Sequence, residues 1–214
     1  MYDDLAHLWP LISLPEDYAD EARYWREAIR DGLGPGRHNV LELGVGGGNN
    51  LSHLTSDFDA TTVDVSEKML ANSRRLNPSV EHHLGDMRSV RLDSTFDAVL
   101  IHDAISYLLT EDDLRATTAT VRQHLAPGGL FVTAPDWLRE TFVGPRLTQH
   151  GPRSADGIEL TYVEYVYDPD RYHHRVGIHL LLDGGRRAAG RAILAHDGAL
   201  PAEDLAAADR RGGF

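Results

Sequence analysis

The sequence predicts an α/β fold built on a doubly wound, mostly parallel sheet, with an antiparallel β insertion behind it. Three observations carry that expectation. Short apolar runs at 40–43, 60–65, 80–84, 96–101 and 130–135 alternate with segments of helical periodicity, the pattern of parallel strands joined by crossover helices. Four glycines (Gly44, Gly46, Gly47 and Gly48) follow directly on the first run. From about residue 151 the pattern changes to near period-2 alternation, as in antiparallel strands.

Each element has its own local reason. Pro15, Glu16 and Asp17 open a helix with a proline and two acids where the dipole favours them. Tyr18, Ala22, Trp25 and Ile29 recur at helical spacing, which makes Tyr18 and Trp25 core-facing, and the run Gly32–Gly36 ends the element. Val40, Leu41 and Leu43 form a buried strand interrupted only by Glu42, the glycines turn the chain, and Asn49-Asn50 open a helix carrying Leu51 and Leu54. The second strand, 60–65, leads to Ser66, an N-cap for a helix carrying Met69, Leu70 and Leu76. A third strand at 80–84 runs into Gly85-Asp86-Met87, and "FDAVLI" at 96–101 is apolar throughout, as a fully buried strand should be. Thr110 and Asp113 make a capping-box-like start to the next helix, and Pro127-Gly128-Gly129 turns it into the fifth strand at 130–135. Segments 158–168 and 172–183 read as a hairpin, 188–197 as a third strand, and Pro201 begins a short terminal helix.

Length and composition bound the function. A chain of 214 residues, 42% hydrophobic and 25% charged, fits one soluble domain with a real core. The expected organisation is an N-terminal helical lid (1–38), a ligand-binding α/β core (39–150) and the hairpin with its terminal helix (151–214) as part of the same domain. A net charge of −12 argues against nucleic acid as a partner. With no cysteine there is no disulfide framework, thiolate nucleophile or cysteine-ligated metal. The pairs His82-His83 and His173-His174 point to opposite faces of a strand, so no metal is expected. The start MYDDLAHLWP lacks a basic n-region and no apolar run nears the roughly 20 residues of a membrane span, which leaves a cytoplasmic protein as the expectation.

A strand, a glycine turn and a helix N-terminus offer free N–H groups to a ligand. In a doubly wound sheet the ligand lies at the carboxyl ends of the strands, which gathers Gly44–Asn50, Asp64, Asp86 and His102-Asp103 along one edge. The dinucleotide fingerprint G-x-G-x-x-G has Asn49 where its third glycine belongs, and no lysine follows to make a P-loop. What remains is G-x-G-x-G with Glu42 two residues ahead and Asp64 ending the next strand.

In this order "VLELGVGGG", "TTVDVS", "HLGDM", "FDAVLIHDAISYL" and "LAPGGLFV" resemble the class I S-adenosylmethionine-dependent methyltransferases across 39–135. More loosely, the early tyrosine-containing helix, "GDM", and the stretch Pro135–Phe142 are similar to N-methyltransferases of the amino-sugar type. The resemblance implies a Rossmann-like methyltransferase fold and methyl transfer from S-adenosylmethionine to a small molecule, with an amine ahead of a hydroxyl or carboxylate. It implies that Gly44, Val45, Gly46 and Asn50 pack against the methionyl part and that Glu42 sits near its amino group. Asp64 would accept the ribose hydroxyls, while Val65, Asp86 and Met87 would surround the adenine. His102 or Asp103 would serve as the base near the transferred methyl, His102 also touching the cofactor. Tyr107, Trp137 and Glu140 would line the acceptor pocket, and Tyr2 would belong to a lid over the cofactor.

The family has two further core strands after the last helix, and the sequence carries no counterpart to them, so either the chain is truncated or the hairpin region substitutes. That leaves a cofactor-binding or partner protein without turnover as an alternative, alongside a nicotinamide-dependent oxidoreductase. The exposed hairpin also offers a surface for a homodimer.

Overall fold

Five parallel strands form the central sheet of the computed structural model, in the order β3-β2-β1-β4-β5. They are β1 (Asn39–Leu43), β2 (Asp59–Asp64), β3 (Glu81–Leu84), β4 (Phe96–Ile101) and β5 (Leu125–Thr133). The structure describes residues 4–135, 138, 141–155, 158–167, 173–183 and 188–198. The expected terminal helix from Pro201 lies outside them.

The helices are α1 (Trp9–Ile12), α2 (Ala19–Leu33), α3 (Asn49–Ser52), α4 (Glu67–Leu76) and α5 (Glu111–His124). Their starts follow the capping logic of the sequence: Ser66 Oγ accepts from Met69 N at 3.2 Å and Thr110 Oγ1 from Asp113 N at 3.1 Å. Alternation along the strands divides the core into two layers. Leu41, Leu43, Val99 and Ile101 pack with Leu114 and Val121 of α5. Val40, Ala98 and Leu100 pack with Ala22, Trp25 and Ile29 of α2. Glu42 therefore shares the α2 face of the sheet, a point on which the site depends. Tyr18 is only half-buried and hydrogen-bonds Ser13 at 2.8 Å, so of the expected aromatic pair only Trp25 is core.

Two boundaries differ from expectation. Strand β5 begins at Leu125 rather than 130, because the Pro127–Gly129 stretch is absorbed as an irregularity: the register moves from Phe96–Leu125 to Ala98–Leu130. It ends at Thr133, before Ala134 and Pro135. Among the described residues β5 pairs only with β4.

A second, antiparallel sheet runs β6 (Arg146–Ala155), β7 (Ile158–Tyr167), β8 (His173–Asp183), β9 (Ala188–Gly198) in sequential order. The hairpin and third strand are the expected ones, but β6 is additional. Its register breaks between His150 and Arg153, around Gly151, a glycine with φ of 135°. The two sheets are linked by the N-terminal segment, whose Leu5, Leu8 and Ile12 are buried against Leu160, Tyr162 and Val166 of β7. Among the described residues no helix is long and apolar enough to cross a membrane.

Candidate active site

The site forms at the carboxyl ends of β1, β2 and β4, as their register dictates: Glu42 lies level with Thr62 on one side and Leu100 on the other. Gly44 has φ of 81°, and a Cβ there would overlap the Ala104 methyl, with the Met87 methyl also in contact. The glycine turn and the His102–Tyr107 segment can thus meet only because position 44 lacks a side chain. Gly46 differs. Its φ is 57°, and a Cβ would meet nothing nearer than Met69 Cε at 3.7 Å, so its upper face is open for a ligand.

Asp64 ties the turn to the end of β2. One oxygen accepts from Gly46 N at 2.8 Å and the other from Ser66 N at 2.8 Å. Burial raises its pKa against the opposing pull of these backbone donors. Val65, next to it, is exposed at 65%. Asp86 is engaged by Arg88: the guanidinium donates at 2.6 Å, and the Arg88 amide donates to Oδ1 at 2.8 Å. The Arg88 hydrogen bonds hold the Asp86 carboxyl below its ordinary pKa.

Glu42 is 2% exposed, and its Oε2 has no hydrogen-bond partner. Loss of hydration raises its pKa to about 7, although the His102 charge lowers it; Asp64 and Asp103 add to the rise. Asn50, equally buried, has neither its amide nitrogen nor its oxygen partnered. Buried polar atoms of this kind ordinarily have partners, and both residues flank the open glycine turn.

His102 is held between two carboxylates, with Nε2 2.7 Å from Glu21 Oε1 and 3.0 Å from Asp103 Oδ1. The rings of Trp25 and Tyr18 meet it edge-on at 5.4 and 6.2 Å. Burial alone would lower its pKa, but the close carboxylates of Asp103 and Glu21 outweigh it and raise the value to about 10. A proton held that tightly disfavours His102 as the base and leaves Asp103, the other residue of the expected pair. Tyr107 closes the 3₁₀ turn Asp103–Tyr107 at 40% exposure. Tyr2, Trp137 and Glu140 lie outside the described residues.

An N-terminal strap covers the turn. Trp9 sits so close to Gly47 that a Cβ there would overlap its indole. Asn72 Nδ2 donates to Ala6 O at 2.7 Å, and Asn49 Nδ2 donates to Ser13 O at 3.1 Å. The asparagine that replaces a third fingerprint glycine is therefore an anchor for the strap.

Residues 40–129 match the methyltransferase domain family. Over 188 residues the chain is 30% identical to dTDP-3-amino-3,6-dideoxy-alpha-D-glucopyranose N,N-dimethyltransferase of Streptomyces fradiae, covering 86% of this chain and 72% of that one. The chain is a class I S-adenosylmethionine-dependent methyltransferase. A second member, dTDP-3-amino-3,4,6-trideoxy-alpha-D-glucopyranose N,N-dimethyltransferase of Streptomyces venezuelae, is 37% identical over 147 residues. That match covers 66% of this chain and 62% of the relative, under two thirds of its length. In structure this methyltransferase is similar to DesVI of Streptomyces venezuelae, with a TM-score of 0.85, 28% identity and coverage of 98% and 90%. It is also similar to the S-adenosylmethionine-bound amino pentose methyltransferase of Micromonospora echinaspora, with a TM-score of 0.79, 27% identity and coverage of 92% and 83%.

S-adenosylmethionine is the cofactor of this methyltransferase, and the residues fit it: an open face at Gly46, with unpartnered buried polar atoms on Glu42 and Asn50 beside it. Sequence reasoning missed Glu21 and the Trp9–Gly47 contact. Neither has a local signature, since each is made by residues far apart in the chain.

Proposed function

We propose that this chain transfers the methyl group of S-adenosylmethionine to the amino group of a nucleotide-linked amino sugar. The observation that carries the reading is the Glu21–His102–Asp103 cluster beside the glycine turn, on a chain similar to two sugar N,N-dimethyltransferases. Bound S-adenosylmethionine supplies a methyl already activated on a sulfonium. The protein has then to bind, align and exclude water.

In this reading Glu42 faces the cofactor amino group, and Gly44, Val45, Gly46 and Asn50 cradle the methionyl chain. Asp64 accepts from the ribose with lone pairs left over from Gly46 and Ser66, since a carboxylate offers about four such sites. Asp86, Met87 and Val65 border the adenine. His102, as an imidazolium, orients Asp103, and Asp103 is the group that takes the proton released by the methylated amine. Tyr107, Trp137 and Glu140 belong to the acceptor side. Of the lid expected over 1–38, α2 is core against the sheet, and the part ahead of it, with Tyr2 and Trp9, acts as the lid over the cofactor.

Calorimetry with S-adenosylmethionine, S-adenosylhomocysteine and NAD, paired with mass spectrometry of dTDP-amino sugars after incubation, tests this reading. The first two ligands should bind, NAD should not, and the sugar should gain one or two methyl masses. Binding without any mass gain across amine acceptors would overturn it in favour of a cofactor-binding protein without turnover.

A further inference from the structure

Glu21 is a solvent-reachable carboxylate on α2, 42% exposed, yet its Oε1 is 2.7 Å from the buried His102 imidazole. Asp103, 40% exposed, approaches the same Nε2 at 3.0 Å. Both carboxylates stand within 3.0 Å of the one ring nitrogen, Nε2, which makes no aligned hydrogen bond to either. Both approach Nε2 of a residue that immediately follows β4, with Ala104 of the same turn in contact with Gly44. The pair thus borders the cofactor turn rather than a remote surface. Glu42 supplies an independent sign of a ligand: it lies on the same face of the sheet, and its buried Oε2 has no partner.

Resting on the amine-methylation reading, we propose that Glu21 is an acceptor-binding residue, which with Asp103 receives the two N–H groups of a primary amine. A neutral primary amine has two N–H bonds and one lone pair. If two flanking carboxylates accept both N–H groups, the lone pair is left facing the sulfonium methyl. The His102 charge beside them offsets part of the negative charge that the two carboxylates present to the amine. After one methylation only one N–H remains, and one carboxylate suffices. Glu21 therefore selects for the first methylation step over the second.

The same three side chains offer ligand atoms within 4.8 Å of one another, a spacing that a metal ion would also fit, and treatment with EDTA separates the two. No metal is part of the proposal.

Steady-state kinetics of Glu21→Leu and Glu21→Gln on dTDP-3-amino-3,6-dideoxy-alpha-D-glucopyranose and its N-monomethyl derivative test this. For Glu21→Leu, KM for the primary amine should rise on the order of tenfold, the loss of one hydrogen bond to a charged group. KM for the secondary amine should change far less. Glu21→Gln keeps an acceptor oxygen and should restore part of the primary-amine affinity. Calorimetric affinity for S-adenosylmethionine should stay at the wild-type value in both variants. Equal losses on both acceptors, or none on either, would overturn the placement of Glu21 while leaving the methyltransferase reading intact. Loss of wild-type turnover on treatment with EDTA would also overturn it, by making the cluster a metal site. A wild type that binds S-adenosylmethionine but methylates neither amine would overturn the underlying reading and this placement with it.

Discussion

Asp64 Oδ2 accepts a hydrogen bond from Gly46 N at 2.8 Å, and the same carboxylate accepts from Ser66 N. The acid that ends β2 therefore shapes the glycine turn, and in the proposed reading it also faces the ribose. Asp64→Ala should weaken S-adenosylmethionine binding by about 1–3 kcal/mol and lower Tm in the ligand-free protein, because two backbone donors lose their acceptor. Calorimetry and thermal melts read the two effects separately. An unchanged affinity would remove Asp64 from the cofactor site.

Gly44 and Ala104 form a lock that can be opened from either side. Gly44→Ala should cost about 1–3 kcal/mol from overpacking, with a further 1–2 kcal/mol or so because φ of 81° is left-handed. Adding Ala104→Gly should recover the first part and not the second. Denaturant titration of the two single variants and the double variant gives both terms. Additive losses would mean that the two positions do not touch.

Glu42 makes the ligand-free protein pH-sensitive. The fold holds its proton more tightly than the unfolded chain does, so its contribution falls as pH rises from about 4.5 through about 7. The whole change is on the order of 3 kcal/mol. Glu42→Gln should match the wild type near pH 4 and exceed it at pH 8, read as Tm against pH. Because the charged carboxylate is the form that suits a cationic amino group, wild-type affinity for S-adenosylmethionine should rise across the same interval.

His102 titrates at the other end of the scale. Its folded pKa of about 10 exceeds the ordinary 6.5, so its stabilising charge is fully present below pH 6.5 and lost as pH rises through about 10. His102→Asn should be less stable than the wild type at pH 6, and the gap should close by pH 10.5. A gap that stays constant would show that the imidazole is neutral throughout.

Removing residues 1–14 should lower Tm as well as abolish turnover, since Leu5, Leu8 and Ile12 are core residues against β7. Each buried aliphatic side chain lost costs about 2–5 kcal/mol. A truncated protein that melts like the full chain would make the segment a dispensable cover.

The parts of the fold legible in the sequence were those fixed by neighbours. Ser66 and Thr110 announced their helices because a cap acts over three residues, and "FDAVLI" announced β4 because a buried strand is apolar throughout. Strand β6 was missed because "RLTQHGPRSA" is polar and broken by Gly151-Pro152; only pairing with β7 makes it a strand. The candidate site shows the same division. Glu42, Gly44, Gly46 and Asp64 sit together because one register brings them there, and their order along the chain already implied it. Glu21 meets His102 across a helix–sheet contact that no local pattern encodes, and the two nearby carboxylates raise the imidazole pKa.

The strap over the glycine turn has a consequence for how the chain is made. Arg153 donates to the Ile12 carbonyl across 141 positions and Asn72 to the Ala6 carbonyl across 66. A ribosome adding roughly 5–20 residues per second finishes the later partners many seconds after the strap itself has emerged. Through that interval Leu5, Leu8, Trp9 and Ile12 have no strand β7 to cover them. The newborn chain thus carries an adhesive, tryptophan-bearing segment past the ribosome, and chaperone binding during synthesis should concentrate there until β7 has cleared the exit tunnel.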